Sequence, residues 1–282
     1  MRDRSRKWLS TLMVLSLSVL VLGATAALAQ TTTNTVIIPT SPVFDANNVT
    51  GVSFDAAPGY DTGSFASDGT GKTDMYFTPD ALFDREVTLD EVADMSYWTK
   101  TGATHTATPA DWFLAIYTKP YAGDVSTATW YGDRIGTEPY FSISLNDPAN
   151  TWNNWSTDGS DNQLRFFEST AGAPGATFGS YTDPDWATFV AGNALSGDPY
   201  AGHDVLVFSV QTASGWADGF TGQVDGLRIE LTDGSVATVN FENPTAPTGK
   251  NDCKDDWQAL TRVDGSAFTN QGDCIQYVIT GK

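Results

Sequence analysis

The 282-residue chain is poor in the residue types that build most catalytic and metal centres. It contains only two histidines, His105 and His203, and only two cysteines, Cys253 and Cys274. It also lacks a G-x-S-x-G elbow, an H-E-x-x-H or C-x-x-C motif, a P-loop and a dinucleotide fingerprint. The chain therefore has few residues from which to build an imidazole metal site or a serine–histidine hydrolase site. Both histidines stand in turn-like segments, and we expect them to be exposed loop residues.

Basic residues are scarce as well. The chain has 15 Lys and Arg against 34 Asp and Glu, a formal charge of −19. The first 29 residues hold four of the basic side chains and one acid, so the remainder carries 33 acidic and 11 basic side chains, about −22. A surface this acidic repels phosphate backbones, which excludes nucleic acid as an expected partner.

Long apolar runs are missing beyond the N-terminus. Residues 1–29 have a basic start, an apolar run from Leu9 to Leu22 and the ending Ala27-Leu28-Ala29, a pattern typical of a cleaved secretory signal peptide. No later stretch approaches the ~18 apolar residues of a membrane helix, so we expect no membrane insertion after cleavage. The sequence therefore predicts a secreted, extracellular protein, or a periplasmic or cell-surface protein in a bacterium with two membranes.

Long helical periodicity is the next absence. From Val36 onward, short runs rich in β-branched and aromatic residues are broken every ten or so residues by Gly, Pro, Asn or Asp. This pattern predicts an all-β fold, an antiparallel β-sandwich. The predicted strands are 87–97, 112–117 (nearly continuously apolar, hence central), 139–145, 163–168 and 205–210, with a hairpin over 224–241. The hairpin turns at Asp233-Gly234, and a short helix over 184–191 begins at the N-cap Asp183.

The chain divides into a signal peptide (1–29), a flexible leader (30–35), the sandwich (36–242), a Pro- and Thr-rich linker (243–250) and a tail (251–282). Cys253 and Cys274 are 21 residues apart with no third thiol, which predicts one disulfide in an exported chain. Closing this loop would stabilise the tail by ~3 kcal/mol. We expect a helix from Asn270 to Gly281 and a small apolar core of Trp257, Leu260, Phe268, Tyr277 and Val278.

Carboxylates are plentiful, so an acid pair of the glycosidase type is available. Glu138 and Glu168 form the best candidate pair, because each adjoins an aromatic-rich strand. The close E-x-D-x-E spacing of jelly-roll glucanases is absent. The alternative is that these are solvated or salt-bridged strand carboxylates, with Arg134, Arg165 and Arg228 as partners for some of the acids.

Aspartate-rich loops suggest a second kind of site, because Ca²⁺ takes several carboxylate and carbonyl oxygens. The candidate ligands of one structural calcium ion are Asp158 and Asp161 in STDGSDNQ and Asp183 and Asp185 in YTDPDW. No EF-hand loop is present. The alternative is turn chemistry, since Asp-Gly recurs along the chain and Asp closes turns. No other cofactor is expected.

The eight tryptophans beyond residue 29 point to sugar binding. Trp152 and Trp155 stand beside Asn153 and Asn154 in NTWNNWS, the mixture of flat rings and amides that suits a carbohydrate surface. Trp186 is a further candidate residue of this carbohydrate site. Trp130, Tyr131 and Trp216 are weaker candidates. The alternative is that these rings are buried in the core, and in an extended segment at most one of Trp152 and Trp155 can be exposed.

Five segments of the chain carry a resemblance to a known kind of domain: VTLDEVADMSYWTK, WFLAIYTKP, WYGDRIGTEPYFS, TWNNWST and VDGLRIELTDGSVATVNFE. Together they resemble a recurrent secreted bacterial β-sandwich domain. The tail, NDCKDDWQAL to FTNQGDCIQYVITGK, resembles a short element with one cysteine pair that follows such domains. The resemblance implies a jelly-roll or concanavalin-like sandwich in an exported bacterial protein. Its motifs are structural and carry no catalytic signature.

Three functional hypotheses follow from these observations. The leading one is a secreted, non-catalytic binding or cell-surface module with a polysaccharide or cell-surface glycan as partner. The second is an enzyme acting on a polysaccharide, a glycoside hydrolase or lyase, through Glu138 and Glu168. The third is a structural envelope or matrix protein, which predicts a broad exposed apolar patch or an unpaired edge strand.

Overall fold

The structure is a computed structural model that describes residues 30–37, 48–53, 55–60, 63–101, 111–159, 161–213, 220–242, 247, 249–262 and 266–281. These residues form two β-sheets with a few short helices, which confirms the predicted all-β sandwich. The signal peptide, His105, Trp216 and most of the predicted linker lie outside the described residues.

Within the described ranges, one sheet has seven strands and the other has five. The seven-stranded sheet contains β1 (Thr32–Ile37), β2 (Val49–Ser53), β3 (Gly63–Ser67), β5 (Val92–Lys100), β8 (Asn153–Ser156), β11 (Gln223–Leu231) and β12 (Val236–Phe241). The five-stranded sheet contains β4 (Asp74–Phe77), β6 (Phe113–Thr118), β7 (Arg134–Thr137), β9 (Phe167–Glu168) and β10 (Val205–Gln211).

The five-stranded sheet has the order β4-β10-β6-β7-β9 and is antiparallel throughout. Strand β6 is therefore central, as the apolar run over 112–117 predicts. In the other sheet, β11 pairs with β12 and β3 along one side and with β5 along the other, and β5 continues to β8. Strand β1 pairs in parallel with β12. The expectation of a flexible leader over 30–35 is thus corrected, because this segment supplies most of an edge strand.

The hairpin of β11 and β12 forms where the sequence predicts it. Leu231 donates its N–H to the carbonyl of Ser235, and Gly234 has a φ of 83°. The loop therefore spans three residues and ends in a left-handed glycine, a common hairpin geometry. Asp233 accepts the N–H of Ser235 at 2.8 Å, which holds the turn.

The core lies between the two sheets and is built from alternate residues of their strands. In β12 the buried members are Ala237, Val239 and Phe241, as period-2 alternation requires. They pack with residues of the opposite sheet such as Ile116 and Phe208. Burial of these large side chains supplies the main driving force for folding, at about 25 cal/mol per Å² of apolar surface.

Three predicted strands are wrong in part or whole. The strand predicted over 163–168 is reduced to Phe167–Glu168 and isolated bridges at Gln163. Residues 139–145 form a 3₁₀ turn at Pro139–Phe141 and only an isolated bridge at Ile143. Pro139 favours the first position of such a turn, and Ser144 has a left-handed φ of 53° that interrupts any strand. The strand predicted over 87–97 begins only at Val92, because a 3₁₀ turn at Leu89–Glu91 precedes it.

The described part of the chain contains four short α-helices: α1 (Pro79–Phe83), α2 (Trp186–Val190), α3 (Asp252–Asp256) and α4 (Gln271–Thr280). The N-cap of α2 is Asp185, two residues beyond the predicted Asp183. Its Oδ1 accepts the N–H of Thr188 at 2.8 Å. Among the described residues, no helix combines the length and apolar content needed to cross a bilayer.

The tail has its own small core, as predicted. Cys253 and Cys274 form the disulfide, with a Cα–Cα distance of 5.7 Å. The predicted apolar residues pack around it; they are Trp257, Leu260, Phe268, Tyr277 and Val278. Helix α4 is capped by Asn270, whose side chain accepts the N–H of Asp273, and by the left-handed Gly281.

Candidate binding site

Two of the three tryptophans in the predicted carbohydrate site belong to the core. Trp155 has 0% of its surface exposed, and its indole Nε1 donates to Oγ1 of Thr99 at 2.6 Å. Trp186 packs on Phe166 and donates to the carbonyl of Val92 at 2.8 Å. Neither ring can serve as a stacking platform for a sugar, and both assignments are corrected.

The rest of the predicted surface is already engaged in contacts within the protein. Trp152 is half-buried, and its Nε1 donates to Oδ1 of Asp55 at 3.1 Å. Asn153 is buried and donates to Oδ1 of Asp147 at 2.7 Å, whereas Asn154 is half-buried. The NTWNNWS segment therefore forms no open groove, because β8 alternates its side chains between two faces.

The structure instead places a depression on the outer face of the five-stranded sheet. Cross-strand pairing aligns Tyr76, Ser209, Ala115, Gly136 and Phe167 in one row across all five strands. Residues paired directly across strands share a face of the sheet. The three central members have very small side chains, so the row is low in the middle. We call this depression the sheet trough.

The walls of the trough are aromatic and polar. The cavity above its floor has a volume of about 220 Å³, and Phe113, Phe167 and Phe178 contribute rings to its lining. Phe178 is 85% exposed, which is unusual for a ring that has no polar group. Flat rings beside small floor residues provide a surface on which the apolar face of a sugar can stack.

A second group of aromatic rings lies beside the row. Trp130 is 46% exposed, and among the described residues only the rings of Phe178 and Tyr181 are more exposed; its ring centroid lies 4.7 Å from that of Tyr117. Tyr117 pairs with Arg134 of β7, two residues before Gly136 and on the same face of the sheet. Tyr131 is buried beneath Trp130. The weaker sequence candidate Trp130 is thus better placed for binding than Trp155 is.

Arg134 supplies hydrogen-bond donors to the cavity. Its Nε donates to Oγ of Ser169 at 2.9 Å, and its Nη2 donates to the carbonyl of Ser169 at 2.6 Å. The expectation that Arg134 pairs with a strand carboxylate is therefore wrong. Arg165 likewise donates to the backbone carbonyl of Asp183, whereas Arg228 does contact Asp94 at 3.1 Å.

Gln211 is oriented by its neighbours in the trough. Its Oε1 accepts from the Tyr117 hydroxyl at 3.4 Å and from Oγ of Ser209 at 3.5 Å. Burial raises the pKa of Tyr117, so that its hydroxyl stays a donor over the physiological range. With the carbonyl side of Gln211 held in this way, its NH₂ group is left to donate to a ligand.

Glu138 and Glu168, the proposed acid pair, lie on opposite faces of the sheet. Glu138 lines the trough cavity. Glu168 pairs across the strands with Ile135, a core residue, and therefore points to the inner side. Its carboxylate accepts from Thr170, the Leu195 N–H and the Tyr200 hydroxyl. The pair thus lacks the common cleft that two-carboxylate glycoside hydrolysis requires.

Glu138 is the acidic group of the trough. Burial, followed by the negative charge of Asp183, raises the pKa of the Glu138 carboxyl above its ordinary value. Because desolvation disfavours the charged form, this group holds its proton to higher pH than a free glutamate does. In the protonated state it can donate as well as accept a hydrogen bond.

The candidate calcium ligands are used for turns and caps. Asp183 accepts the N–H of Ser180 at 2.6 Å, and Asp185 caps α2. Asp158 and Asp161 are exposed. Within the described ranges, no three His, Cys, Asp or Glu side chains gather in the way a metal ion requires. The contacts of Asp183 and Asp185 match the turn-chemistry alternative.

His203 is not the exposed loop residue that its Gly-Asp context predicts. Only 10% of its side chain is exposed, and its Nδ1 lies 2.8 Å from Oδ2 of Asp133. The imidazole packs against Tyr121, with ring centroids 4.2 Å apart and ring planes tilted by 33°. The prediction failed because turn composition does not reveal that a loop folds back onto another loop.

The sequence did contain a weak signal for the trough. Alternation within β6 places Phe113, Ala115 and Tyr117 on one face, opposite the core residues Leu114 and Ile116. Only the register between strands, however, reveals that Ser209 and Gly136 flank Ala115.

Comparison of the chain with protein-family models, with curated proteins and with solved structures found no match.

Proposed function

We propose that this protein is an exported, non-catalytic glycan-binding module whose ligand occupies the sheet trough. The observation that carries the proposal is the cavity of about 220 Å³ above the paired residues Ala115 and Gly136, which lies between aromatic walls. Rings that can stack on pyranose faces lie beside Arg134 and Gln211, which can reach hydroxyl groups. Sugar sites need this combination of apolar area and oriented donors.

Export is part of the same proposal. It is supported by the signal-peptide pattern of residues 1–29 and by the disulfide, since disulfides persist in oxidising compartments. We also propose a bacterial origin, which the sequence resemblance implies. A binding role is favoured over an enzymatic one because Glu168, the proposed partner of Glu138, points away from the trough.

The test is retention on immobilised polysaccharides, neutral and acidic, measured for the chain lacking residues 1–29. Phe178→Ala removes an exposed ring of the trough and should weaken binding about three- to tenfold, the loss expected for one stacked ring. Trp130→Ala tests the neighbouring rings in the same way. Ile279→Ala is the matched control, because Ile279 is 60% exposed but lies in the tail helix.

Two results would overturn the proposal. One is the absence of retention on every polymer by a protein whose circular dichroism shows it to be folded. The other is retention that Trp152→Ala abolishes while Phe178→Ala and Trp130→Ala leave it unchanged, which would return the site to the NTWNNWS segment.

A further inference from the structure

We infer that the ligand of the sheet trough is an acidic sugar, held through its carboxylate by Arg134. This inference rests on the proposed function and names the class of glycan for the same site. The class is that of polysaccharides or oligosaccharides that contain uronic acid residues.

The first observation is that, among the described residues, the guanidinium of Arg134 contacts no carboxylate in a strongly acidic protein. Arg85, Arg228 and Arg262 each contact an Asp or Glu within 3.2 Å, whereas Arg165 donates to the backbone carbonyl of Asp183. The guanidinium of Arg134 donates to Ser169, and its backbone N–H donates to Thr170. A guanidinium that lines a cavity and has no internal counter-ion is suited to an anionic group from outside.

The second observation is the way in which Arg134 is held. The Oγ of Ser169 accepts a hydrogen bond from Nε and its carbonyl oxygen accepts one from Nη2, which fixes the plane of the guanidinium. Three of its five N–H groups are left, two on Nη1 and one on Nη2. Those on the edge between Nη1 and Nη2 can donate in parallel to the two oxygens of a carboxylate, a geometry that Lys cannot provide.

The third observation is that the other polar groups of the cavity are mainly donors. Gln211 presents its NH₂ group, because its carbonyl oxygen is occupied by Tyr117 and Ser209. Lys72 lines the cavity as well, and its Nζ lies 2.8 Å from Asp74. Glu138 is the acidic residue of the lining. A donor-rich lining complements a ligand rich in acceptors, as a carboxylate is.

The charge of the whole protein makes this local pattern more informative. Beyond residue 29 the chain carries 33 acidic and 11 basic side chains, yet two of these basic residues line one cavity. The general field opposes a dense polyanion, whereas contacts within the cavity act at distances shorter than the Debye length of about 8 Å. We therefore expect selection of a sugar with one correctly placed carboxylate over uniform attraction to any polyanion.

The experiment compares matched ligands that differ only in the carboxylate. Polygalacturonate, alginate and hyaluronan are each tested beside their carboxyl-reduced forms, in which the acid has become a primary alcohol, and dextran sulfate provides an unrelated polyanion. We expect at least one acidic polymer to bind about tenfold or more tightly than its reduced form. Arg134→Gln should lose this difference, and Arg134→Lys should recover only part of it because the bidentate contact is lost.

Arg228→Gln is the control for Arg134→Gln, since Arg228 lies on the other sheet and contacts Asp94. If Arg134→Gln is not folded by near-ultraviolet circular dichroism, Gln211→Leu tests the same set of donors. Equal binding of acidic and reduced polymers would overturn the acidic-sugar inference and leave the glycan-binding proposal intact. The acidic-sugar inference would also be overturned if dextran sulfate were retained as strongly as the acidic polymers and if Arg134→Gln and Arg228→Gln lowered this retention equally. Retention on no polymer would overturn both.

Discussion

Gly136 and Phe167 face each other across strands β7 and β9, and the Phe167 ring occupies the space beside the missing side chain of Gly136. A Cβ atom added to Gly136 would lie 3.1 Å from Cζ of Phe167. This distance is shorter than ordinary van der Waals contact. The absence of a side chain at Gly136 therefore sets the depth of the trough and the position of one aromatic wall.

The first prediction concerns Gly136→Val. The branched side chain would displace the Phe167 ring and fill part of the floor, so we expect glycan retention to fall about tenfold or more. Strand propensity favours Val over Gly, which limits the loss of stability to about 1 kcal/mol. Retention measured beside thermal unfolding separates the two effects. Gly249→Ala is the control, because a Cβ atom there would meet nothing within 4 Å; unchanged retention by Gly136→Val would contradict the placement of the ligand.

The second prediction concerns the pH dependence of acidic-sugar binding through Glu138. Its pKa is raised above the ordinary value of 4.5 by burial and by Asp183. As the pH rises through the raised pKa, the carboxyl loses its proton and repels the ligand carboxylate, so affinity should fall. Glu138→Gln keeps a donor and carries no charge. Binding titrations between about pH 4 and 8 should show a decline for the native protein and a flat profile for this variant.

A steeper decline in the Glu138→Gln variant than in the native protein would contradict this role for Glu138. The uronic acid ligand itself ionises at lower pH, with a pKa near that of a free carboxyl group. The comparison of the two proteins on one ligand removes its contribution, because the ligand titrates alike in both.

The third prediction concerns folding stability and Asp225. This buried carboxylate accepts the backbone N–H groups of Ala57, Gly226 and Phe241, yet burial raises its pKa to about 7. The folded protein therefore binds a proton that the unfolded chain releases near pH 4. The stabilisation is fully present below the unfolded pKa and is lost as the pH rises through 7, by about 4 kcal/mol at most.

Denaturant unfolding of the native protein and of Asp225→Asn tests this linkage. Asn resembles the protonated carboxyl, since each has one full acceptor oxygen, so the two proteins should differ least near pH 4. The free energy of unfolding of the native protein should then fall relative to that of Asp225→Asn as the pH rises toward about 8. A rise of the native protein relative to the variant over this range would mean that the three amide contacts outweigh burial.

The fourth prediction concerns the disulfide of the tail. Replacing Cys253 and Cys274 together by Ala should destabilise the tail by ~3 kcal/mol, because the loop of the unfolded chain is no longer closed. The tail has its own apolar cluster, distinct from that of the sandwich. Hydrogen exchange should therefore accelerate in α4 and stay unchanged in β11. Equal acceleration in both elements would show that the tail and the sandwich unfold as one unit.

The fifth prediction concerns export. Expression of the full chain in a bacterial secretion host should yield a processed protein whose N-terminus is Gln30, because Ala27-Leu28-Ala29 provides the small residues of a cleavage site. N-terminal sequencing and intact mass measure this directly. A mature protein that retains Met1, or that begins downstream of Thr32–Ile37, would contradict the assignment, since the latter would lack strand β1.

Features that depend on neighbouring residues were predictable from the sequence. Alternating apolar residues and Asp233-Gly234 indicated the hairpin, and Asn270 and Gly281 indicated the ends of α4. The cap of α2 lies two residues beyond the predicted one, because Asp185 accepts the Thr188 N–H whereas Asp183 accepts the Ser180 N–H. Residues 139–145 alternate like a strand, and no local rule revealed that Ser144 would be left-handed.

The sequence by itself determined the class of fold, the disulfide, the acidity and the absence of common catalytic motifs, because each depends on composition or on short-range spacing. The tertiary structure decided which rings are accessible and which polar groups meet. Trp155, which the sequence placed in the binding site, is buried in the core, and Phe178, which had no predicted role, is 85% exposed. The core takes a large ring wherever strand alternation points it inward. The trough arises from the register of three strands distant in sequence, where Ser209, Ala115 and Gly136 come together. Register is fixed by the packing of the whole core, and no segment contains it alone.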